Sequence, residues 1–337
     1  MAACRAFAAA LALLVIAGAF GQPRAAEPLK LRIGWAVIPG QLTAVLFEKK
    51  DILRHYGKSY TVETQHFRGS TPQITGLASG DLDIASLAFS SFGLAIQNAK
   101  MDDLRVVADL YQDGVPDHYS SEYLIRADSR IDKIEDLKGR VLASNGLGGA
   151  IDMAMRKMLR DHGLEVNRDY QIVEIEFPNM MAALDEKKVD LAGMVTPFSI
   201  IAHERGGHRT LFTVEDAMGP TQLTMFVMRA SFIAAHRPAL VDFFEDVQRA
   251  TRWFLDPKDR DEAIGIIARF MKKPPSEFSS WLFTERDYYH DPDARPNLAA
   301  LQRNLDVQQE LGLLKIHVDA KHYADLSLVD DAAKRSH

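Results

Sequence analysis

Cysteine is almost missing from this chain. The one cysteine, Cys4, stands before an apolar run, so a chain cut behind that run has no thiol, disulfide or cysteine metal site. Standing before the run, Cys4 is also misplaced for lipid attachment. A basic excess is missing too. The formal net charge is −6 and no Lys/Arg cluster is long, which excludes a surface that tracks phosphates along a nucleic acid. Behind the first apolar run there is no second stretch of membrane-spanning length and no low-complexity tract. What remains has globular composition, 47% hydrophobic and 26% charged, and 337 residues are enough for two domains with a core each.

The chain opens with Arg5 and then an unbroken small and apolar run, Ala6 to Phe20. A positive start, a short apolar core and the small residues Ala17-Gly18-Ala19 read as a cleavable export signal within residues 1–26. The run is short for a membrane span.

From Leu29 onward, strand and helix patterns alternate, which is the signature of an α/β chain with parallel sheets. Leu31 to Trp35 reads as a strand, followed after Pro39-Gly40 by a helix through Leu42, Val45, Leu46, Ile52 and Leu53. Tyr60 to Phe67 alternates as a strand, Ser70 or Thr71 can cap a helix with Pro72 in its first turn, and Gly80 ends it. Leu82 to Ala88 is the next strand. The order then recurs: a strand at Arg140 to Ala143, the loop Ser144 to Gly149, a helix with Ile151, Met155, Met158 and Leu159 on one side, a strand from Tyr170 to Phe177, a helix capped by Asn179, and a strand opening Val189-Asp190-Leu191-Ala192. Three elements repeated in order imply two lobes of like construction. Asp109 to Ser121 reads as the polar link between them, and Thr224 to Met228 as a strand returning to the first. Helices are expected near Pro238–Leu255, Asp259–Met271, Ser276–Phe283 and Asn297–Leu311. The expected division is 28–115 with 222–337 for the first lobe and 116–221 for the second.

Four stretches carry a family resemblance: Gly34-Trp35 with Pro39-Gly40-Gln41, Leu77 to Ala85, Asp136 to Val141, and Val189 to Ala192. On these the chain resembles the solute-binding proteins of nitrate, sulfonate and taurine importers, a group that includes thiamine-pyrimidine binders. The resemblance implies the two-lobed type II periplasmic binding protein fold. It implies a periplasmic, monomeric protein that takes a small-molecule ligand, needs no cofactor, and meets the transmembrane subunits of an ABC permease.

Ligands of open parallel sheets sit beyond the carboxyl ends of the strands, where helix starts offer free N–H groups to an anion. That places the candidate ligand-binding residues at Trp35 and Gln41, at Arg68, Ser70 and Thr71, and at Phe89 and Ser90 in the first lobe. In the second they are Ser144, Asn145, Gly146, Gly148, Gly149, Asn179 and Thr196. The glycines of 144–149 admit close backbone approach, and Ser144 and Asn145 add side-chain hydrogen bonds. As a dinucleotide fingerprint the loop lacks its third glycine. Phe67 and Phe177 read as core, and Asp83 and Asp190, recurring in both lobes, as structural. His203 and His208 have the wrong spacing for two metal ligands on one helix face, and no metal site is expected.

The rival class is an enzyme on the same fold. The resemblance group includes a pyrimidine synthase and a desulfinase, both implied to rely on cysteine, which the exported chain would lack. A sensor domain would need a signalling module, and none is present. Solute capture is therefore expected, with nitrate, alkyl sulfonate, carboxylate or pyrimidine open as ligand and an organic one favoured by the aromatics near the cleft. Protein from the native host should begin between Phe20 and Glu27; an intact mass that retains Met1 would reject the export reading.

Overall fold

The computed structural model describes residues 27–335, and the export segment read at 1–26 lies outside them. The chain starts in the first lobe with β1 (Leu29–Trp35) and β2 (Tyr60–His66), paired parallel along their whole length. Next come α1 (Thr71–Ser79), β3 (Ala85–Ala88), α2 (Phe89–Ala99) and β4 (Leu104–Asp113). The second lobe runs β5 (Glu122–Arg126), β6 (Val141–Ser144), α3 (Ala150–Asp161), β7 (Gln171–Glu174), α4 (Phe177–Asp185), β8 (Leu191–Met194), α5 (Phe198–Arg205), β9 (His208–Thr213) and α6 (Val214–Met218). The chain then returns through β10 (Thr221–Arg229) and closes the first lobe with α7 (Ala230–Leu255), α8 (Arg260–Met271), α9 (Leu298–Glu310) and α10 (Ser327–Arg335).

The two sheets are built alike. The second has the order β7-β6-β8-β5-β9, with β6 parallel to β7 and β8, and β5 antiparallel to β8 and β9. The first has β10 between β3 and β4, antiparallel to both, and a parallel Ile33–Ile84 bridge joins β3 to the β1–β2 pair. Each lobe thus holds one central antiparallel strand, delivered by the chain just after it crosses from the other lobe. Asp83 and Asp190 act as structural acceptors at matching places. Asp83 takes Arg32 N at 2.8 Å and its guanidinium at 2.6 and 2.9 Å, while Asp190 takes Val141 N at 3.3 Å.

Local chemistry explains most of these elements. In α1, Pro72 fills the first turn and Gly80, at φ 79°, caps the end in the left-handed region. In α3 the residues Ile151, Met155, Met158 and Leu159 recur at helical spacing and are all buried. Gly193 on β8 lets that helix approach, since a Cβ there would run into the Ile151 side chain and the Tyr123 ring.

Several expectations need correction. The stretch after β1 forms only short 3₁₀ turns at Leu46–Glu48 and Lys50–Ile52. Residues 38–47 are all buried, so the segment has no solvent face to set against an apolar one. Asp109 to Asp113 belongs to β4, not to the link, because its polar side chains are buried with partners. β7 is shorter than the strand expected at 170–177, and α4 already begins at Phe177, with Pro178 in its first turn and Asn179 inside the helix. The helix expected at 276–283 is a 3₁₀ turn at Pro275–Glu277 with irregular chain behind it. α7 starts at Ala230, and its backbone breaks at His236, two residues before Pro238, which has no N–H to donate.

The first crossing is fixed by a buried carboxylate. Asp113 ends β4 and accepts from Ser120 Oγ at 2.8 Å, Ser121 N at 3.1 Å and Ser121 Oγ at 2.5 Å. Ser120 Oγ accepts in turn from Glu215 N at 2.9 Å, and Ser121 Oγ lies 2.8 Å from the Tyr288 hydroxyl. Beside them, Tyr119 reaches Ser199 Oγ on α5 at 2.6 Å.

Burial pushes Asp113 up to about 6 against the hydrogen bonds from Ser121 and Ser120. It pushes Asp109 and Asp287 up to about 7, the former against donation from the Gln222 amide at 2.5 Å. An unfolded carboxyl titrates near about 4, so between about pH 4 and about pH 7 the fold holds protons that the unfolded chain releases. That stabilisation is complete below the window and is lost as pH rises through it. Resistance to urea should therefore decline from about pH 4 to about pH 7, and Asp109→Asn, which keeps an acceptor for Gln222, should flatten the decline. Equal slopes in parent and variant would exclude Asp109 as a source.

Candidate functional site

Helix starts from both lobes meet at one cavity. β3 runs straight into α2, with Ala88 in extended conformation (φ −70°, ψ 150°) as N-cap, so Ser90 and Ser91 lie in the first turn. β6 leads through residues 145–149 into α3, whose first turn is Ala150-Ile151-Asp152. First-turn N–H groups have no acceptor inside their own helix. The starts of α1, at Ser70, and of α5, behind Thr196, come from the same ends of their sheets.

The cavity measures about 220 Å³. The first lobe lines it with Gln41, Ser70, Ser90, Ser91, Tyr111 and Thr224, and the second with Asn145, Gly149, Ala150, Ile151, Phe177 and Thr196. No carboxylate, imidazole, amine, guanidinium or thiol is part of the lining. Its polarity comes from hydroxyls, amides and the dipoles of the helix starts. Gln41 Oε1 accepts from Ala36 N at 2.8 Å, which leaves its amide N–H groups as donors. Ser70 Oγ accepts from Ala88 N at 3.0 Å and so ties the α1 start to β3. Thr224 is 5% exposed, and its side chain lies against the Tyr111 hydroxyl. Burial raises the Tyr111 hydroxyl above the usual tyrosine range, against hydrogen bonding with Thr224, so it remains a donor. The two hydroxyls together give the wall both donor and acceptor capacity for a ligand.

Of the residues read from sequence, Gln41, Ser70, Ser90, Asn145, Gly149 and Thr196 line this cavity. Trp35 lies just outside, in an adjoining chamber that also touches Thr196. The rest stand apart. Phe89 and Ser144 are fully buried in their lobes, while Arg68, Thr71 and Asn179 are exposed, and none of these lines the cavity. Gly146 and Gly148 do not line it either, because carboxylates already hold much of their loop. Leu147 N donates to Glu174 Oε1 at 2.7 Å and Gly148 N to Asp152 Oδ2 at 2.7 Å, with Arg156 balancing Asp152 at 2.8 Å. Phe177, expected in the core, lines the cavity at the α4 start. Tyr111, Thr224 and Tyr288 escaped the reading because they arrive on β4, β10 and the C-terminal segment, outside the repeated unit. Among the described residues, no group of three or more His, Cys, Asp or Glu is placed to hold a metal ion, and no helix is long and apolar enough to cross a membrane.

The sequence model of the NMT1-like family matches residues 24–268. The chain belongs to the NMT1-like family. The fold of this NMT1-like chain is that of periplasmic binding proteins. It is similar to the periplasmic aliphatic sulphonate binding protein SsuA from Escherichia coli, with TM-score 0.68, 22% identity, and coverage of 89% of this chain and 92% of that one. The periplasmic nitrate-binding protein NrtA from Synechocystis PCC 6803 gives TM-score 0.71 at 16% identity, covering 92% and 89%. The desulfurization enzyme DSZB gives 0.66 at 15%, covering 92% and 100%. At such identities the likeness is one of fold. No curated protein sequence matches the chain.

Two substitutions separate the cavity from its surroundings. Gly148 sits at φ 76° with open space at its Cβ position. Gly148→Val should therefore cost about 1 to 2 kcal/mol of stability while leaving the ligand-induced rise in melting temperature unchanged. Thr224→Val, which removes a lining hydroxyl at nearly constant volume, should weaken binding about tenfold while the ligand-free protein stays folded. Melting curves with and without ligand check both; a lost ligand shift in the glycine variant would return loop 146–148 to the site.

Proposed function

We propose that this chain is the substrate-binding component of an ABC import system. It captures a small solute between two lobes, 28–115 with 222–337 on one side and 116–221 on the other, and delivers it to the transmembrane subunits of a permease. The convergence of helix starts from both lobes on one chamber carries this reading. A ligand lying there touches both lobes and favours their approach. The solute is an organic anion, a sulfonate or carboxylate, or a polar pyrimidine, met by Gln41, Ser70, Ser90, Asn145, Thr196 and the amides of Ala150 and Ile151. The fold shared with proteins that bind sulphonate and nitrate in the periplasm supports a periplasmic location after removal of residues 1–26.

The likeness to DSZB keeps an enzyme as the second reading. Against it stands the lining of the inner chamber, which offers hydroxyls and amides but no carboxylate, imidazole, amine or thiol to move a proton or attack a bond. Small-angle scattering of the mature chain should show compaction when a stabilising solute from a thermal-shift screen is added. Mass spectrometry after long incubation should return that solute unchanged. Steady product formation would replace capture by catalysis.

A further inference from the structure

A larger chamber adjoins the inner one. This outer chamber of about 580 Å³ shares Ala36, Val37, Phe177, Val195 and Thr196 with it, so the two lie side by side in the same cleft. Its walls are aromatic on both sides. On the first lobe, Trp35 meets Phe270 edge-on, with ring centroids 5.8 Å apart, and His66 at 4.5 Å. On the second, Phe177 and Phe198 stack with centroids 6.0 Å apart and planes 17° from parallel.

The rim carries exposed apolar groups from each lobe. Val37 is 44% and Ile201 42% exposed, and large apolar side chains this open are few among the described residues. Exposed apolar surface gathered at one opening marks a contact surface. The charged groups of the outer chamber are taken up locally: Lys273 pairs with Glu277 at 3.2 Å, and Glu204 Oε1 accepts from Ser280 Oγ at 3.5 Å. The outer chamber thus offers apolar and ring contacts, and the inner chamber offers donors.

We propose that the ligand is an amphipathic organic acid with a flat ring body. Its carboxylate or sulfonate head lies in the inner chamber against the starts of α2 and α3, beside the Tyr111 and Thr224 hydroxyls. Its ring lies between the Trp35–Phe270 wall and the Phe177–Phe198 wall. The volumes favour this division. Pockets for whole drug-sized ligands run from roughly 300 to 1,000 Å³, so the inner chamber suits a head group alone, and a small inorganic anion would leave the larger apolar space unfilled. The dipoles of the helix starts and the hydroxyl donors match one negative charge, and the inner lining has no cation to meet a second.

This inference rests on the solute-capture reading and is tested apart from it. Calorimetric titrations of the mature chain compare acetate, benzoate and 2-naphthoate, then methanesulfonate, benzenesulfonate and 2-naphthalenesulfonate, with 2-naphthamide as the uncharged control. Affinity should rise at least tenfold from the head-only acid to the two-ring acid in one series, and the amide should bind at least tenfold more weakly than its acid. Ile201→Gln, at an exposed position that the fold tolerates, should weaken the ring-bearing acids severalfold and leave acetate and methanesulfonate unchanged. Head-only acids that bind as tightly as ring acids would overturn the inference and leave solute capture standing. An amide as tight as its acid would overturn the anionic head. No heat from any acid would overturn the inference as well, and solute capture would then stand or fall on the compaction experiment.

Discussion

The two-lobed arrangement depends on how the chain leaves β4. There the Asp113 carboxylate gathers the side chains of Ser120 and Ser121 and a backbone N–H, and Ser121 contacts Tyr288 from the far end of the sequence. A buried carboxylate is tolerable only when its lone pairs are occupied, so the turn has little freedom to be anything else. Because it is fixed, β5 enters the second sheet antiparallel between β8 and β9. The return strand β10 takes the corresponding place in the first sheet, between β3 and β4. The carboxyl ends of the remaining parallel strands then face one another, and the cavity follows from that. Tyr119, anchored on Ser199, ties the crossing to α5, one of the helices whose start borders the site.

The repeated strand–helix–strand unit was legible because it is written in local terms. Alternation at Tyr60–Phe67, the cap and proline at Ser70–Pro72, and the matching aspartates Asp83 and Asp190 all act within short range or on the adjacent strand. The segment 38–47 was misread because Leu42, Val45 and Leu46, which look like one face of a helix, belong to a stretch that is buried throughout, so their spacing marks no face. The end of β4 was misread for the opposite reason: Asp109, Gln112 and Asp113 look like a solvated link, yet they are buried by partners far away in sequence, such as Gln222 for Asp109 and Tyr289 O for Gln112 N.

The site shows the same division. Gln41, Ser70, Ser90, Asn145, Gly149 and Thr196 reach the cavity because they stand where strands end and helices begin. Gly146 and Gly148 lie off it, since the carboxylates that occupy amides of their loop, Glu174 and Asp152, lie on β7 and α3 and compete in a way that spacing does not reveal. Tyr111, Thr224 and Tyr288 carry no motif. They are brought to the cavity by long-range topology, and only the assembled sheets show it.

The uncharged lining of the inner chamber has a consequence for release. Attraction between an anion and fixed dipoles depends on what fills the space around them. Two unit charges about 4 Å apart attract by about 4 kcal/mol at an effective dielectric of about 20, and by about 1 kcal/mol in bulk water. Dipolar attraction is weaker but scales with dielectric in the same sense. With the lobes together the walls exclude solvent, and with the lobes apart water floods the gap and competes for every N–H and hydroxyl. If an anion lies there as proposed, the angle between the lobes acts as a valve on its affinity. Release would then need no proton, no exchange of a counter-ion and no bond broken in the cargo, because parting the lobes wets the dipoles and loosens the grip.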